Sequence, residues 1–226
     1  MGDAPAIELD ELVRRYGERT ALDRVSISVP AGATLVVFGP NGAGKSTLLR
    51  VLATLLRPQG GSARMLGHAL PGEAWRVRGH VGLLGHEPLL HRDLTARENL
   101  RFHARLHDVA FSRIDELLEQ VGLERRGDEP VRELSRGMVQ RVAACRAVLH
   151  APDVLLLDEP TANLDPAAAD ALEPLVGRAS GRTRVVTSHD PARGLAEADV
   201  VLGLRGGKPE LSGPGVSEDA VRELYR

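Results

Sequence analysis

Five short apolar runs punctuate the chain, at Leu35 to Phe38, Val81 to Leu84, Val154 to Leu157, Arg184 to Thr187 and Val200 to Leu204, with helical patterns between them. Runs this short, bounded by turn signals, fit strands buried on both faces, and their alternation with helices predicts an α/β core with a mainly parallel sheet. The first helix opens at Lys45, sets Leu48, Leu49, Val51, Leu52, Leu55 and Leu56 on one broad face, and stops before Pro58 and Gly60-Gly61. Upstream, AIELDELVRRY and ALDRVSISVP alternate with turns, as an N-terminal antiparallel β layer would.

Between Pro88 and His150 strand signals vanish. Thr95-Ala-Arg-Glu98 is a capping-box pattern that opens one helix, and Ser112 through Val121, followed by Gly122, reads as another. The expected organisation is a single domain over 1–226. Residues 1–87 and 151–226 form the α/β core with its β layer, and 88–150 form a helical insert. No repeat, low-complexity tract or interdomain linker interrupts it.

Composition narrows the function classes. Lysine plus arginine number 29 against 31 aspartates and glutamates, a formal charge of -2, so no basic excess points to nucleic acid. The one cysteine, Cys145, excludes an intrachain disulfide framework, and its alignment with Val142 and Leu149 makes it a small core residue. The start, Met1-Gly-Asp-Ala-Pro-Ala6, lacks a basic region followed by an apolar one, which reads as cytosolic. No window approaches the ~18 apolar residues of a membrane span, so work at a membrane requires a partner that holds the chain there.

Candidate chemistry clusters at strand ends. Gly39-Pro40-Asn41-Gly42-Ala43-Gly44-Lys45-Ser46 matches G-x-x-x-x-G-K-[ST] between an apolar strand and a helix, the context that makes the pattern a phosphate cradle rather than a glycine-rich turn. Glycines let backbone N–H groups turn toward an anion, Lys45 reaches the β and γ phosphates, and Ser46 offers a hydroxyl to Mg²⁺. Asp158 and Glu159 end the apolar strand from Val154, where α/β sheets place ligands. Asp158 suits a magnesium shell, and Glu159 can accept a proton from an attacking water. Leu134-Ser135-Arg136-Gly137-Met138 precedes another helix, so Ser135 as cap and Gly137 as exposed backbone prepare a second anion-binding helix end.

In this order and spacing the motifs resemble those of the ATP-binding subunit of ABC transporters, and the likeness covers essentially the whole chain. The resemblance implies that Gly39 to Thr47 is Walker A, Val154 to Asp158 is Walker B with Glu159 catalytic, and Leu134 to Met138 is the signature. Thr161-Ala-Asn163-Leu164-Asp165 is similar to the D-loop, where Asp165 and Pro166 also suit the start of a helix. His189 falls on the switch histidine, expected near the γ phosphate, and Tyr16 on the aromatic residue that stacks on adenine. The family implies ATP and Mg²⁺, and a second copy whose Ser135 and Gly137 close on the first copy's nucleotide. It also implies an integral membrane permease and a place on the cytoplasmic face of the inner membrane. Leu89 and Leu90 lie where such a permease docks.

Three positions depart from the family pattern. The signature carries Arg136 and Met138, and the glutamine expected after VGLLG is replaced by His86, or by Glu87 if the register slips by one. His86 as a magnesium-side residue is a softer, titratable substitute. His103 and His107 share a helix face, but the stretch lacks the glutamate of HExxH and a third ligand, so packing or exposed roles are expected. GLLGHEPLLHRDLTARENLRFHARLH with LSRGMVQRVAACRAVL resembles the haem-exporter ATP-binding subunits of cytochrome c maturation. Drug and lipid exporters of the ABC-2 kind share much of it. A soluble ABC ATPase acting on ribosomes or DNA is disfavoured by the single cassette without a heptad insert or basic arm, and a P-loop kinase by the signature.

Overall fold

The computed structural model describes residues 4–162 and 164–226; Met1, Gly2 and Asp3, and with them the start of the chain read above, lie outside the described residues, as does Asn163 of the D-loop match. In chain order the elements begin with β1 (Ile7–Tyr16), β2 (Arg19–Val29), β3 (Thr34–Phe38), α1 (Lys45–Leu52), β4 (Gly60–Met65), β5 (His68–Leu70), α2 (Ala74–Val77) and β6 (Val81–Leu84). They continue with α3 (Ala96–Leu106), α4 (Ser112–Gln120), α5 (Arg136–Val148), β7 (Val154–Asp158), α6 (Pro166–Val176), β8 (Thr183–Thr187), α7 (Pro191–Glu197), β9 (Val200–Arg205), β10 (Lys208–Gly213) and α8 (Glu218–Glu223).

Two sheets result. One has the order β2-β1-β4-β5 and is antiparallel; the other runs β10-β9-β3-β8-β7-β6, with parallel pairing from β9 to β6 and an antiparallel β10 at its edge. The continuous apolar runs are explained by burial on both faces. Leu35 and Val37 of β3 face a core shared with α1 and the antiparallel sheet, while Val36 and Phe38 face a second core built with α3 to α6 and α8. In β7, Leu156 joins the first core and Leu155 and Leu157 the second.

Between β6 and β7 the described residues form helices and one isolated bridge, Thr95 with Pro130. The capping box at α3 is present as its residues predict: Thr95 Oγ1 accepts from the Glu98 N–H at 3.0 Å, and the Glu98 carboxylate accepts from the Thr95 N–H at 2.8 Å. Asn99, buried, ties the entering loop down by bonding both the N–H and the carbonyl of His91.

Two expectations fail locally. The first helix ends at Leu52 rather than running to Leu56, because Thr54 takes a left-handed φ of 60° and the N–H groups of Leu55 and Leu56 both turn back to Arg50 O. Leu55 is consequently exposed. The Gly60-Gly61 pair, read as a stop, opens β4, whose residues pair with β1.

Thr95→Ala should lower unfolding free energy by about 1 kcal/mol, the worth of a lost N-cap, while Thr95→Ser should stay near wild type. Equilibrium denaturation in urea measures both, and indistinguishable midpoints for Thr95→Ala and the wild type would show that the box carries no stability.

Candidate nucleotide site

The glycine loop leaves β3 and enters α1 under tight steric limits. A Cβ on Gly39, at φ 144°, would sit 2.2 Å from Leu204 O, and one on Gly44, at φ 115°, would sit 2.3 Å from Ala21 O. Gly44 is the N-cap of α1 and has no side chain to satisfy the first-turn N–H groups, so these stay available to an anion. Lys45 is buried at 7% exposure, and its Nζ donates to Gly39 O at 2.6 Å and Pro40 O at 3.3 Å. Burial pushes the Lys45 pKa down, against the pull of Glu159 and Asp158.

Tyr16, Asn41 to Thr47 and Glu159 line one cavity of about 290 Å³. Tyr16 is exposed, with the Arg14 guanidinium 5.0 Å from its ring centre. Arg19, missed in the sequence, lines the same cavity and donates from Nη2 to Gly42 O at 2.8 Å. The available signal was a cation three positions past Tyr16, at the head of the next strand.

Adjacent strands bring the acids in. β7 pairs with β8 so that Asp158 lies opposite Thr187. The buried Thr187 hydroxyl donates to Asp158 Oδ1 at 2.7 Å and accepts the Glu159 N–H at 3.0 Å. Thr187, in VVTSHD, also escaped the sequence reading. Glu159 holds a left-handed φ of 53°, and its carboxylate contacts His189 Nε2 directly. A neighbouring cavity of about 270 Å³ contains His86, Arg136, Gln140, Asp158 and Glu159 in its wall, and Glu87 is not part of it.

Ser135 and Gly137 line neither cavity. Ser135 caps α5, accepting the Met138 N–H at 3.3 Å, and a Cβ on Gly137 would meet Ala168 Cβ at 3.6 Å. Asp165 caps α6 through the Ala168 N–H at 2.8 Å, with Pro166 in its first turn. The fold therefore gathers Tyr16, Asn41 to Thr47, Asp158, Glu159 and His86 around two cavities that share Glu159, and sets His189 against Glu159 in the wall of a third cavity of about 440 Å³, while Gly39 and Pro40 reach the site through their carbonyl bonds to Lys45 Nζ. It leaves Ser135, Gly137 and Asp165 outside their walls.

A model of the ABC transporter family matches residues 22–162. The chain belongs to the ABC transporter family. This ABC cassette is 42% identical over 202 residues to a daunorubicin resistance ATP-binding protein of Streptomyces coeruleorubidus, a match covering 86% of the chain and 62% of that protein. It is 39% identical over 197 residues to the Nod factor export ATP-binding protein I of Ralstonia nicotianae, covering 84% of the chain and 61% of the relative. The cassette thus spans less than two thirds of the length of either relative. Among solved structures, an ATP-binding subunit of an ABC transporter superposes with a TM-score of 0.87 at 27% identity, covering 98% of the cassette and all of that chain. A dimeric bacterial ABC transporter cassette gives 0.83 at 26% identity, over 93% and 99% of the two chains. The two sequence relatives are named for drug resistance and Nod factor export. Those names match the drug- and lipid-exporter alternative better than the haem-export expectation.

Two histidines of the insert pack against each other. His107 stacks on His150 with ring centres 4.1 Å apart, and His150 Nε2 lies 3.1 Å from Val81 O. Cys145 is a buried core residue whose thiol burial pushes up to about 12. Burial, with lesser repulsion from neighbouring Arg146 and imidazoles, pushes His103 and His150 down to about 4 from 6.5. Both fold neutral and take up protons on unfolding. Their contribution to stability is therefore complete above pH 6.5, is lost as pH falls toward about 4, and changes no further below. Replacing both by glutamine should flatten the slope of unfolding free energy in that window, as read from urea midpoints along a pH series; an unchanged slope would assign the acid sensitivity elsewhere.

Proposed function

We propose that this cassette binds and hydrolyses ATP as the motor subunit of an ABC exporter of the ABC-2 kind, moving a drug-like or lipid-like amphipathic cargo. The observation that carries the reading is Glu159, which lies in the wall of the glycine-loop cavity and is contacted by the switch histidine, His189. The export class is supported by the drug-resistance and Nod factor relatives. The assignment covers a single cassette, with residues 88–150 as its helical subdomain.

Residues of the chain divide the chemistry. Tyr16 offers a ring face to adenine, and the loop from Gly39 to Thr47 wraps the phosphates with N–H groups. Lys45 exchanges its bonds to Gly39 O and Pro40 O for phosphate oxygens, so a buried cation gains the anion it lacks. A hydroxyl at Ser46 and a carboxylate at Asp158 are hard oxygen donors that fit Mg²⁺, with His86 beside Asp158 in the cavity wall. When bound, that ion neutralises phosphate charge. Thr187 fixes the Asp158 carboxylate and the Glu159 backbone, and Glu159 accepts the proton of the attacking water while His189 orients it.

A second copy completes the site. Ser135 and Gly137 stand outside the cavity of their own Walker A, so the α5 N-terminus is free to face the nucleotide of a partner, with Asp165 at the same junction. ATP then holds two copies together, and its hydrolysis releases them. No helix among the described residues is long and apolar enough to cross a membrane, which fits peripheral attachment to a permease at the cytoplasmic face. Leu89, 49% exposed, belongs to the surface offered to it, whereas Leu90 packs on the core of the insert.

Lys45→Ala should weaken ATP binding about tenfold or more through loss of a charge-assisted contact. Glu159→Gln should spare binding and reduce turnover about 10²- to 10⁴-fold, accumulating an ATP-dependent dimer on size exclusion. Equilibrium binding beside steady-state hydrolysis separates the two, and near wild-type turnover in Glu159→Gln rejects the base assignment.

His86→Ala should depress hydrolysis while Glu87→Ala leaves it near wild type, since His86 lines the cavity and Glu87 does not. The opposite ranking in a phosphate-release assay would move the loop register by one residue.

A further inference from the structure

The chain has two tyrosines, and the second lies beside the site without lining any of the three cavities. Tyr225 follows α8. Its hydroxyl accepts the Gly39 N–H at 3.2 Å and donates to Ser188 O at 3.3 Å. Gly39 opens the glycine loop, and Ser188 immediately precedes His189. One hydroxyl thus touches the first residue of Walker A and the residue before the switch histidine.

Strand geometry explains why a hydroxyl fits there. β3 and β8 pair in parallel, with Val37 opposite Thr187. The Arg184 N–H donates to Ala33 O at 3.0 Å and the Ser188 N–H to Val37 O at 3.2 Å, at the two ends of one evenly spaced ladder. The next rung in that period would run from the Gly39 N–H to Ser188 O. Gly39 takes a φ of 144° as the chain leaves the sheet, and the two groups meet through the Tyr225 hydroxyl instead.

The phenol is held for this position. Arg205 of β9 donates from Nε to Leu224 O at 3.2 Å and from Nη2 to Glu223 O, and Val221 and Leu224 are buried in the core shared with α3 to α6. Burial pushes the Tyr225 pKa above its usual 10, against the pull of the Gly39 N–H and with Glu159 adding to the rise. The hydroxyl therefore keeps the proton that it donates.

We propose that Tyr225 is a positioning residue for ATP hydrolysis, whose hydroxyl splices the glycine loop to the switch segment and so keeps His189 against Glu159. The two sides do not depend on it equally. The glycine loop is also fixed by β9 and the turn after it, since a Cβ on Gly39 would sit 2.2 Å from Leu204 O and the Gly207 N–H donates to Ala43 O at 3.0 Å. On the switch side, Ser188 Oγ bonds only within its own turn, to the N–H and the carbonyl of Asp190, both at 3.1 Å. Loss of the phenol hydroxyl is felt at His189, in turnover, before it is felt in ATP binding. The inference rests on the roles proposed above for Glu159 and His189.

Tyr225→Phe removes the hydroxyl and keeps the ring. Steady-state hydrolysis should show kcat lowered at least about threefold, with KM for ATP within about twofold of wild type. A smaller loss in kcat, or a loss confined to KM, overturns the proposal. A weakened fold also slows turnover, so the substitution is repeated in a His189→Ala background and read by single-turnover hydrolysis. If the hydroxyl acts through His189, Tyr225→Phe causes no further loss there, whereas an equal loss in both backgrounds overturns the proposal. His189→Ala and Glu159→Gln alone tell the two readings apart. If both leave turnover near wild type, the assignment of the site fails and this inference with it; if both slow turnover and Tyr225→Phe does not, only the role of Tyr225 fails.

Discussion

Burial of the parallel sheet on both faces is the constraint on which the site depends. β3, β7 and β8 lie side by side, and alternate residues of each enter opposite cores, so none of the three can shift without disturbing two sets of packing. Their C-terminal ends are thereby held in one plane. The glycine loop follows β3, Asp158 and Glu159 end β7, and Thr187 and His189 end β8. Groups far apart in sequence meet because their strands cannot slide.

The electrostatics of the site are set for an anion that brings its own charge. Lys45 is buried against carbonyl oxygens of its own loop, with carboxylates close enough to oppose the loss of its proton but none paired with it among the described residues. The α1 N-terminus likewise ends in a glycine that satisfies nothing. Both features are costly in isolation and become favourable together when phosphate enters.

The parts legible in the sequence are those whose causes are local. The glycine loop is written in consecutive residues, the capping box in Thr95 and Glu98, and the α6 start in Asp165 and Pro166, since each depends on bonds within one turn. Arg19 and Thr187 were missed because their partners, Gly42 and Asp158, come from other strands or loops. β4 was missed because its glycine- and arginine-containing segment is extended only by pairing with β1. Names of relatives, rather than any residue pattern, favour drug or Nod factor export over haem export.

Helix α5 has a mechanical property that follows from how it is fastened. Its C-terminal end is clamped to β6, through Arg146 Nη2 to Leu83 O at 2.6 Å and His150 just beyond the helix to Val81 O. The N-terminal end carries Ser135 and Gly137. Thirteen residues make a rod about 20 Å long, so a tilt of roughly 5° at the clamp swings the far tip by nearly 2 Å. β6 is also the strand that delivers His86. A shift of β6 would be carried to the far end of the helix through two carbonyl oxygens, against the bonds from Arg141 to Val121 O and Gln140 to Pro160 O that fasten the middle of the rod.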